Sequence, residues 1–300
     1  MRLWNILVMV GALCFSVPAF AWGEEGHHIV CQIAYEKLTD KSRTEVDRLL
    51  SSAPTAKYRR FSTACLFADA WRNDHKDNKV LGRNDDHYLN LKRTDRSFSG
   101  DGCGITTNCV VKAVRDDLGI LSNKTQSDKL RRIALTFLGH WVGDLHQPLH
   151  VAFKNDGGGN GIPVTGACDA QRIDNLHSVW DTCIIRSQIY VSTVKKSSII
   201  TDPLFDKAVD DLIAGVTPEI SAKSKTGTPS DWADESFGIS ISASTHYCAD
   251  KIVSGKPTEC QPTSVFIINA DYLKNNAVIE RERLQLAGLR LADMLNKALN

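Results

Sequence analysis

Net charge is almost absent from this chain. Its 36 Lys and Arg stand against 35 Asp and Glu, a formal +1 at pH 7 over 300 residues. No basic field is therefore available to hold long nucleic acid by counterion release, and any recognition of phosphate has to be local. Long apolar runs are equally scarce. The most apolar stretch, Ile6 to Phe15, is about ten residues, short of the roughly 18–20 that a membrane helix needs, so no bilayer span is expected. No internal repeat or low-complexity tract interrupts the chain. There is no Cys-x-x-Cys pair, which argues against a thiolate zinc knuckle, and no His-Glu-x-x-His, which argues against a zinc peptidase.

What stands at the beginning reads as a leader. Arg2 is a minimal positive segment, Ile6 to Phe15 the apolar one, and Ala19-Phe20-Ala21 an A-x-A cleavage site. Residues 1–21 are thus expected to be a secretory signal cut between Ala21 and Trp22, with the product secreted or periplasmic. Losing Arg2 and Cys14 leaves a formally neutral chain with eight of the nine cysteines. An even number in an exported protein favours disulfides. Eight cysteines allow 105 pairings. Proximity suggests Cys103–Cys109 and Cys248–Cys260; Cys168–Cys183 is a further nearby pair and would leave Cys31–Cys65.

Helical periodicity dominates the rest. Gly26–Leu38, Ser42–Leu50, Ser62–Asp74, Val110–Leu121, Ser127–Gln147, Leu176–Gln188, Leu204–Val216 and Ala270–Leu299 carry apolar residues at three- and four-residue spacing. Ser127-Asp-Lys reads as a helix start and Pro148 as a stop. The expected fold is all-α, one mainly helical domain over residues 22–300. A short β-hairpin around the glycine-rich Asp156–Thr165 is the most strand it should contain, and Ser221–Ser230 reads as a polar loop.

The chemistry concentrates in a few histidines. Residues 140–150 read His-Trp-Val-Gly-Asp-Leu-His-Gln-Pro-Leu-His, and Asn175-Leu-His-Ser-Val-Trp-Asp181 repeats the His-x-x-x-Asp spacing. On a helix, residues four apart share a face, with Cβ atoms roughly 5–6 Å apart. His140 with Asp144, and His177 with Asp181, can each grip a cation from two sides. Imidazole and carboxylate together suit zinc. Two such pairs plus His150, in a chain with nine histidines, point to a multinuclear zinc site.

Other residues gain meaning beside that site. After cleavage Trp22 would carry a free α-amino group, whose pKa near 7.7–8.0 lets a metal displace its proton. Amine and carbonyl form a chelate that His27 can close, whereas His28 points elsewhere on a helix. Asp69 and Arg72, one turn apart, are an intrahelical ion pair or a ligand beside a guanidinium. His87 lies in the polar run Asp85-Asp86-His87-Tyr88-Leu89-Asn90.

Taken in order, Trp22-Gly-x-x-Gly-His27, Ala68-Asp-x-x-Arg72, His87-Tyr-x-Asn90, the 140–150 run, Gly158-Gly-Asn160 and Asn175-Leu-His-x-x-Trp-Asp181 resemble the trinuclear-zinc, single-strand-specific nuclease and 3′-nucleotidase family of the mung bean nuclease type. The resemblance extends through Asp231–Ser236 and Gln285–Ala292 to cover essentially residues 22–299. It implies three zinc ions. Asp69, His87, His140 and Asp144 would hold one; His150, His177 and Asp181 a second; Trp22, His27 and the other oxygen of Asp144 a third. His146 would be structural. The implied activity is hydrolysis of single-stranded DNA and RNA to 5′-phosphate nucleotides, and of 3′-nucleotides to nucleosides. Zinc-activated hydroxide would attack phosphorus, with Asp144 bridging the close pair and Arg72 stabilising the charge that builds on the phosphate oxygens. A monomer is expected. Two positions depart from that family's pattern: Asn90 where an Asp is favoured, and Thr182-Cys183 where an Asn is favoured. A zinc phospholipase C, or an inactive exported zinc-binding protein on the same scaffold, are the competing readings.

Overall fold

The computed structural model describes residues 22–166, 173–191, 201–253, 256–262 and 266–300; the expected leader and Cys168 lie outside them. Helices set the architecture. α1 (Glu24–Glu36) and α2 (Asp40–Ser51) are followed by the short α3 (Phe61–Ala64) and α4 (Phe67–Asp74). Next come α5 (Val110–Ser122) and α6 (Asp128–His146). α7 (Leu176–Ser178) runs directly into π-helical turns over Val179–Cys183 and Ile185–Ile189. α8 (Pro203–Ala214), α9 (Pro218–Ser224), α10 (Pro229–Ser240) and the 30-residue α11 (Ala270–Leu299) complete the set.

α6 organises the others. The Ser127 side chain caps its first turn by accepting the Leu130 N–H. Pro148 stops it, because a residue preceding proline is driven out of the helical region, and Gln147 has ψ 117°. From Ala134 to His146 every side chain is buried. A helix buried on all faces must be wrapped on all faces, and α1, α2, α4, α5, α10 and α11 all pack against it. The Cys31–Cys65 disulfide ties α1 to the end of α3 and lies on Gly139, where a Cβ would come within 2.4 Å of Cys65 Sγ. One turn later, a Cβ on Gly143 would stand 2.7 Å from His27 Nδ1. Only glycine at these two positions lets α1 and its histidine crowd against α6.

Cys103–Cys109 and Cys248–Cys260 are bonded as proximity suggested, and Cys183 is also in a disulfide. Three two-stranded sheets complete the described structure. β1 (Leu89–Leu91) pairs in parallel with β2 (Val151–Phe153), and β3 (Val164–Gly166) in parallel with β6 (Phe266–Ile268). β4 (Cys248–Val253) and β5 (Lys256–Pro262) are antiparallel.

Three expectations are corrected. The glycine-rich stretch is not a hairpin: left-handed Gly157, Gly158 and Gly159 curl it until Gly161 N–H bonds the Asp156 carbonyl at 2.8 Å, and β3 pairs with the distant β6. The hairpin is β4–β5. The helix expected over Ser62–Asp74 breaks at Cys65–Leu66, where the Cys65 carbonyl is turned to His140 Nδ1 at 2.7 Å. Ser221–Ser230 is not simply a loop, since α9 covers its first part and α10 starts at its end. Both helices begin at a Thr-Pro step, and Thr228 and Asp231 form a reciprocal capping box.

Candidate metal centre

Six segments converge on one buried site. α1 supplies His27; α4 supplies Asp69 and Arg72; the turn before β1 supplies His87. α6 contributes His140 and Asp144, the turn after it His150, and α7 with its π-helical extension His177 and Asp181. The β1–β2 pair does the joining that no helix period could announce. Leu89 faces Val151, so His87 and His150 sit together at the strands' entry ends, with His150 Nδ1 donating to the His87 carbonyl at 2.6 Å.

The side chains form three groups with ligand atoms within 4.8 Å of one another: His27, Asp69 and His140; His87, His140 and Asp144; His150, His177 and Asp181. Asp144 faces two ways. Its Oδ2 lies 3.1 Å from His87 Nδ1 and 3.3 Å from His140 Nε2, while its Oδ1 lies 3.3 Å from His27 Nε2. Asp69 Oδ1 stands 3.8 Å from His140 Nε2 and 3.9 Å from His87 Nδ1. In the remaining group, Asp181 lies 3.6 Å from His150 Nε2 and 3.3 Å from His177 Nε2.

The residues fit a resident cation. Ring nitrogens on the far side are committed to backbone: His140 Nδ1 to Cys65 O, His150 Nδ1 to His87 O, and His177 Nδ1 to Gly158 O at 2.8 Å. That fixes the tautomer and aims each Nε2 inward, as metal-binding imidazoles are aimed. Several atoms at the site then have no hydrogen-bond partner despite burial: both nitrogens of His27, His150 Nε2 and Asp144 Oδ1. Buried polar atoms left unpaired are costly, and a cation among them removes that cost. Burial pushes His27 and His177 below the ordinary imidazole range and His87 down to about 3. Burial would raise Asp144, but the neighbouring His140 and His150 outweigh it and hold the carboxyl well below its usual range. Neutral imidazoles and ionised carboxylates are the forms that bind metal; His140 and His150, raised by their carboxylate neighbours, would release their protons to an arriving cation.

Around these groups the sequence expectations resolve individually. Trp22 is fully buried; its indole N–H bonds Glu280 Oε1 at 2.6 Å, and Gly23 N–H bonds the Asp181 carbonyl at 2.8 Å. The start of the described chain thus lies against the group containing Asp181. His146 is in none of the groups: its Nδ1–H bonds Val142 O and its Nε2 accepts from Arg290 at 2.9 Å. It is structural, with an arginine rather than a ligand as its partner. His28 packs against the edge of Phe205. Arg72 makes the intrahelical ion pair, 2.8 Å from Asp69 Oδ1, and also lines a cavity of about 310 Å³ over the site. Tyr88, Asn90, Lys154 and Asn160 share that wall, and the glycine stretch after Asp156 forms part of it.

Sequence reasoning assigned no role to two positioning groups. Gln147 donates to Asp181 Oδ1 at 2.6 Å and accepts the Leu149 N–H; its place inside the 140–150 run was the available signal. Glu280, 258 residues from Trp22, had none.

Comparison with known proteins now bears on a defined site. A family model, S1/P1 Nuclease, matches residues 22–300. The chain belongs to the S1/P1 nuclease family. Among relatives, it is 29% identical to "Endonuclease 4" of Arabidopsis thaliana, covering 99% of this chain and 95% of the relative. It is 25% identical to "Nuclease S1" of Aspergillus oryzae, with 96% of each covered. A 172-residue match at 30% to "Nuclease P1" of Penicillium citrinum spans 54% of this chain and 57% of the relative. As an S1/P1 nuclease the chain is a phosphodiesterase acting on nucleic acids, and its family is metal-dependent.

Proposed function

We propose that this nuclease is an exported, three-zinc enzyme. It hydrolyses single-stranded DNA and RNA to 5′-phosphate nucleotides and also removes phosphate from 3′-nucleotides. The observation that carries the reading is Asp144. It is fully buried, with one oxygen toward His27 and the other toward His87 and His140, and the His150–His177–Asp181 group stands beside it. One zinc falls to Asp69, His87, His140 and Asp144, a second to His150, His177 and Asp181, and a third to Trp22, His27 and Asp144. Bound zinc lowers the pKa of water toward neutrality and screens phosphate charge.

The protein's own groups do the rest. Arg72, steadied by Asp69, turns a planar guanidinium fork into the cavity, where it suits non-bridging phosphate oxygens. Gln147 holds Asp181 in orientation. The Tyr88 ring and the Asn90 amide on the cavity wall offer a stacking face and hydrogen bonds to one base, a mode that tolerates any sequence. A paired base reaches such a pocket only after unstacking, which favours single strands. Export is supported by the disulfides Cys31–Cys65, Cys103–Cys109 and Cys248–Cys260 and by the leader expected at residues 1–21. No helix among the described residues is long and apolar enough to cross a membrane.

The test is a digest of single-stranded and duplex DNA by protein beginning at Trp22, with end groups mapped and with a chelator arm. Chelator-sensitive release of 5′-phosphorylated products, faster from single strands, is expected. Products with 3′-phosphates, or indifference to chelator, would overturn the proposal.

A further inference from the structure

Helix α4 has a second face. Asp69 and Arg72 are directed to the metal centre and its cavity. Phe67 and Trp71, four residues apart, lie on the other side of the helix. There, with Tyr58, they line a separate groove of about 210 Å³ between the Ala53–Tyr58 segment and the first turns of α6. The rings of Tyr58 and Phe67 meet edge to face at 5.2 Å, those of Phe67 and Trp71 lie 5.8 Å apart, and Phe137 backs Phe67. Tyr58, Phe67 and Trp71 are all partly exposed.

The surroundings of this aromatic floor are cationic. Lys129 and Arg132 line the groove itself, and Lys57, Arg59 and Arg60 flank Tyr58. Among the described residues none of the five is in an ion pair; Arg132 donates to the Ser52 carbonyl at 2.9 Å and Arg59 to the Ala53 carbonyl at 3.1 Å. Nearby Asp128 is bound to Arg48, and the carboxylates whose charge reaches Tyr58 are Asp74 and Glu24. In a chain with formal charge +1 overall, this is a concentrated positive field. Partly exposed rings beside five cations that are in no ion pair among the described residues match a planar base on an anionic backbone.

We propose that this groove is a docking site for a second nucleotide of the single-stranded substrate, outside the cavity that presents the scissile phosphate. The inference rests on the nuclease reading above and extends it. Trp71 and Arg72 are neighbours on α4 that line the groove and the cavity respectively, so the two lie across one helix, about 10–12 Å in diameter with its side chains, and a strand of a few nucleotides passing over it spans both. His75 stacks on one face of Trp71 at 4.2 Å and the Lys57 ammonium lies 5.7 Å from the Tyr58 ring centre, so a base stacks on the faces these leave open, and Lys129, Arg132 and the Lys57–Arg60 cations hold the phosphates. A dinucleotide is used up at the cavity, whereas a longer strand has nucleotides left for the groove.

The experiment compares the native protein with Tyr58→Ala, with Lys57→Glu, and with Lys129→Glu combined with Arg132→Glu. Binding of a hydrolysis-resistant phosphorothioate dT10 is followed by fluorescence anisotropy over a salt series, and cleavage is measured on dT10 and on dTpT. Expected are roughly tenfold weaker dT10 binding, a salt slope smaller by about 0.7 for each phosphate no longer neutralised, a raised KM for dT10, and unchanged kcat/KM for dTpT. Lys57→Glu alters one exposed side chain and keeps the test valid if another variant fails to fold. Unchanged dT10 binding and salt slope would overturn the proposal, as would equal losses on dT10 and dTpT. If the native protein cleaves neither substrate while the variants still lose dT10 binding, the nuclease reading fails and the groove stands.

Discussion

Replacing Asp144 with Asn keeps the side-chain size and removes one charge. The carboxylate is fully buried, and its two oxygens lie 3.1–3.3 Å from three imidazole nitrogens on two sides. An amide can offer only one oxygen, and a neutral one, so one side loses its ligand outright and the other keeps a weaker one. Disturbing a group that merely supports a ligand costs 10–100-fold in metal affinity. Loss of a shared ligand should therefore cost on the order of 100-fold or more for each of the two ions it serves, about 2.7 kcal/mol apiece. With zinc at 100 times the dissociation constant, each site adds about 2.7 kcal/mol to native stability. At roughly 2–4 °C per kcal/mol for a chain of this size, the zinc-induced rise in Tm should shrink by on the order of 10–20 °C. Elemental analysis after equilibrium dialysis, with melting curves with and without zinc, reads both quantities. Three ions per chain are expected in the native protein and about two or fewer in the variant at that zinc concentration, with nucleic-acid cleavage down on the order of 1000-fold or more. A variant that keeps three ions and the full Tm rise would refute the sharing of Asp144.

Four further outcomes follow from the same geometry. Protein beginning at Ala21, with the Trp22 amine locked in a peptide bond, should fold normally and lose activity; full activity would remove Trp22 from the ligand set. Glu235→Ala leaves Arg283 and Arg290, each at most 1% exposed and both paired to that carboxylate at 2.8–2.9 Å, buried and uncompensated, so unfolding in urea should show a loss of roughly 3–5 kcal/mol; a loss under about 1 kcal/mol contradicts this. His146→Ala should destabilise by about 1–3 kcal/mol, since a fully buried ring is removed and Arg290, which keeps Glu235, loses its bond to Nε2, while the metal count stays unchanged. For metal-free protein, His27, His28, His87, His146 and His177 are depressed chiefly by burial, so the unfolded chain takes up protons first and stability falls as pH drops below about 6.5. His140 is raised, and His150 is raised to about 9, because their carboxylate neighbours outweigh burial; Glu280 is raised by burial to about 8. Their stabilising contributions are lost as pH rises, so melting against pH should peak near neutrality with the steeper fall on the acid side; a flat profile from pH 5 to 9 would contradict the burial of these histidines.

The sequence made the site legible where the candidate ligands repeat with helical period. His140 with Asp144 and His177 with Asp181 are local pairs, and the structure keeps each pair in contact. α6 was legible to within a residue at each end, because Ser127 and Pro148 act through local backbone chemistry. What could not be read is non-local. His87 meets His150 through a three-residue parallel strand pair too short to show alternation. The break between α3 and α4 follows from a disulfide and from a carbonyl committed to His140. α9 and α10 escaped because their apolar pattern is weak and their signal is capping, Thr-Pro twice, rather than periodicity. Glu280 meets Trp22 across nearly the whole chain, a contact that only tertiary packing creates.

The central claim is that one buried carboxylate joins two metal positions and that the His150–His177–Asp181 group holds a third. Diffraction from crystals of zinc-loaded protein beginning at Trp22, recorded on both sides of the zinc absorption edge, tests it most directly. The account predicts three anomalous peaks, two flanking the Asp144 carboxylate and one among His150, His177 and Asp181. A single peak, or peaks away from Asp144, would contradict it.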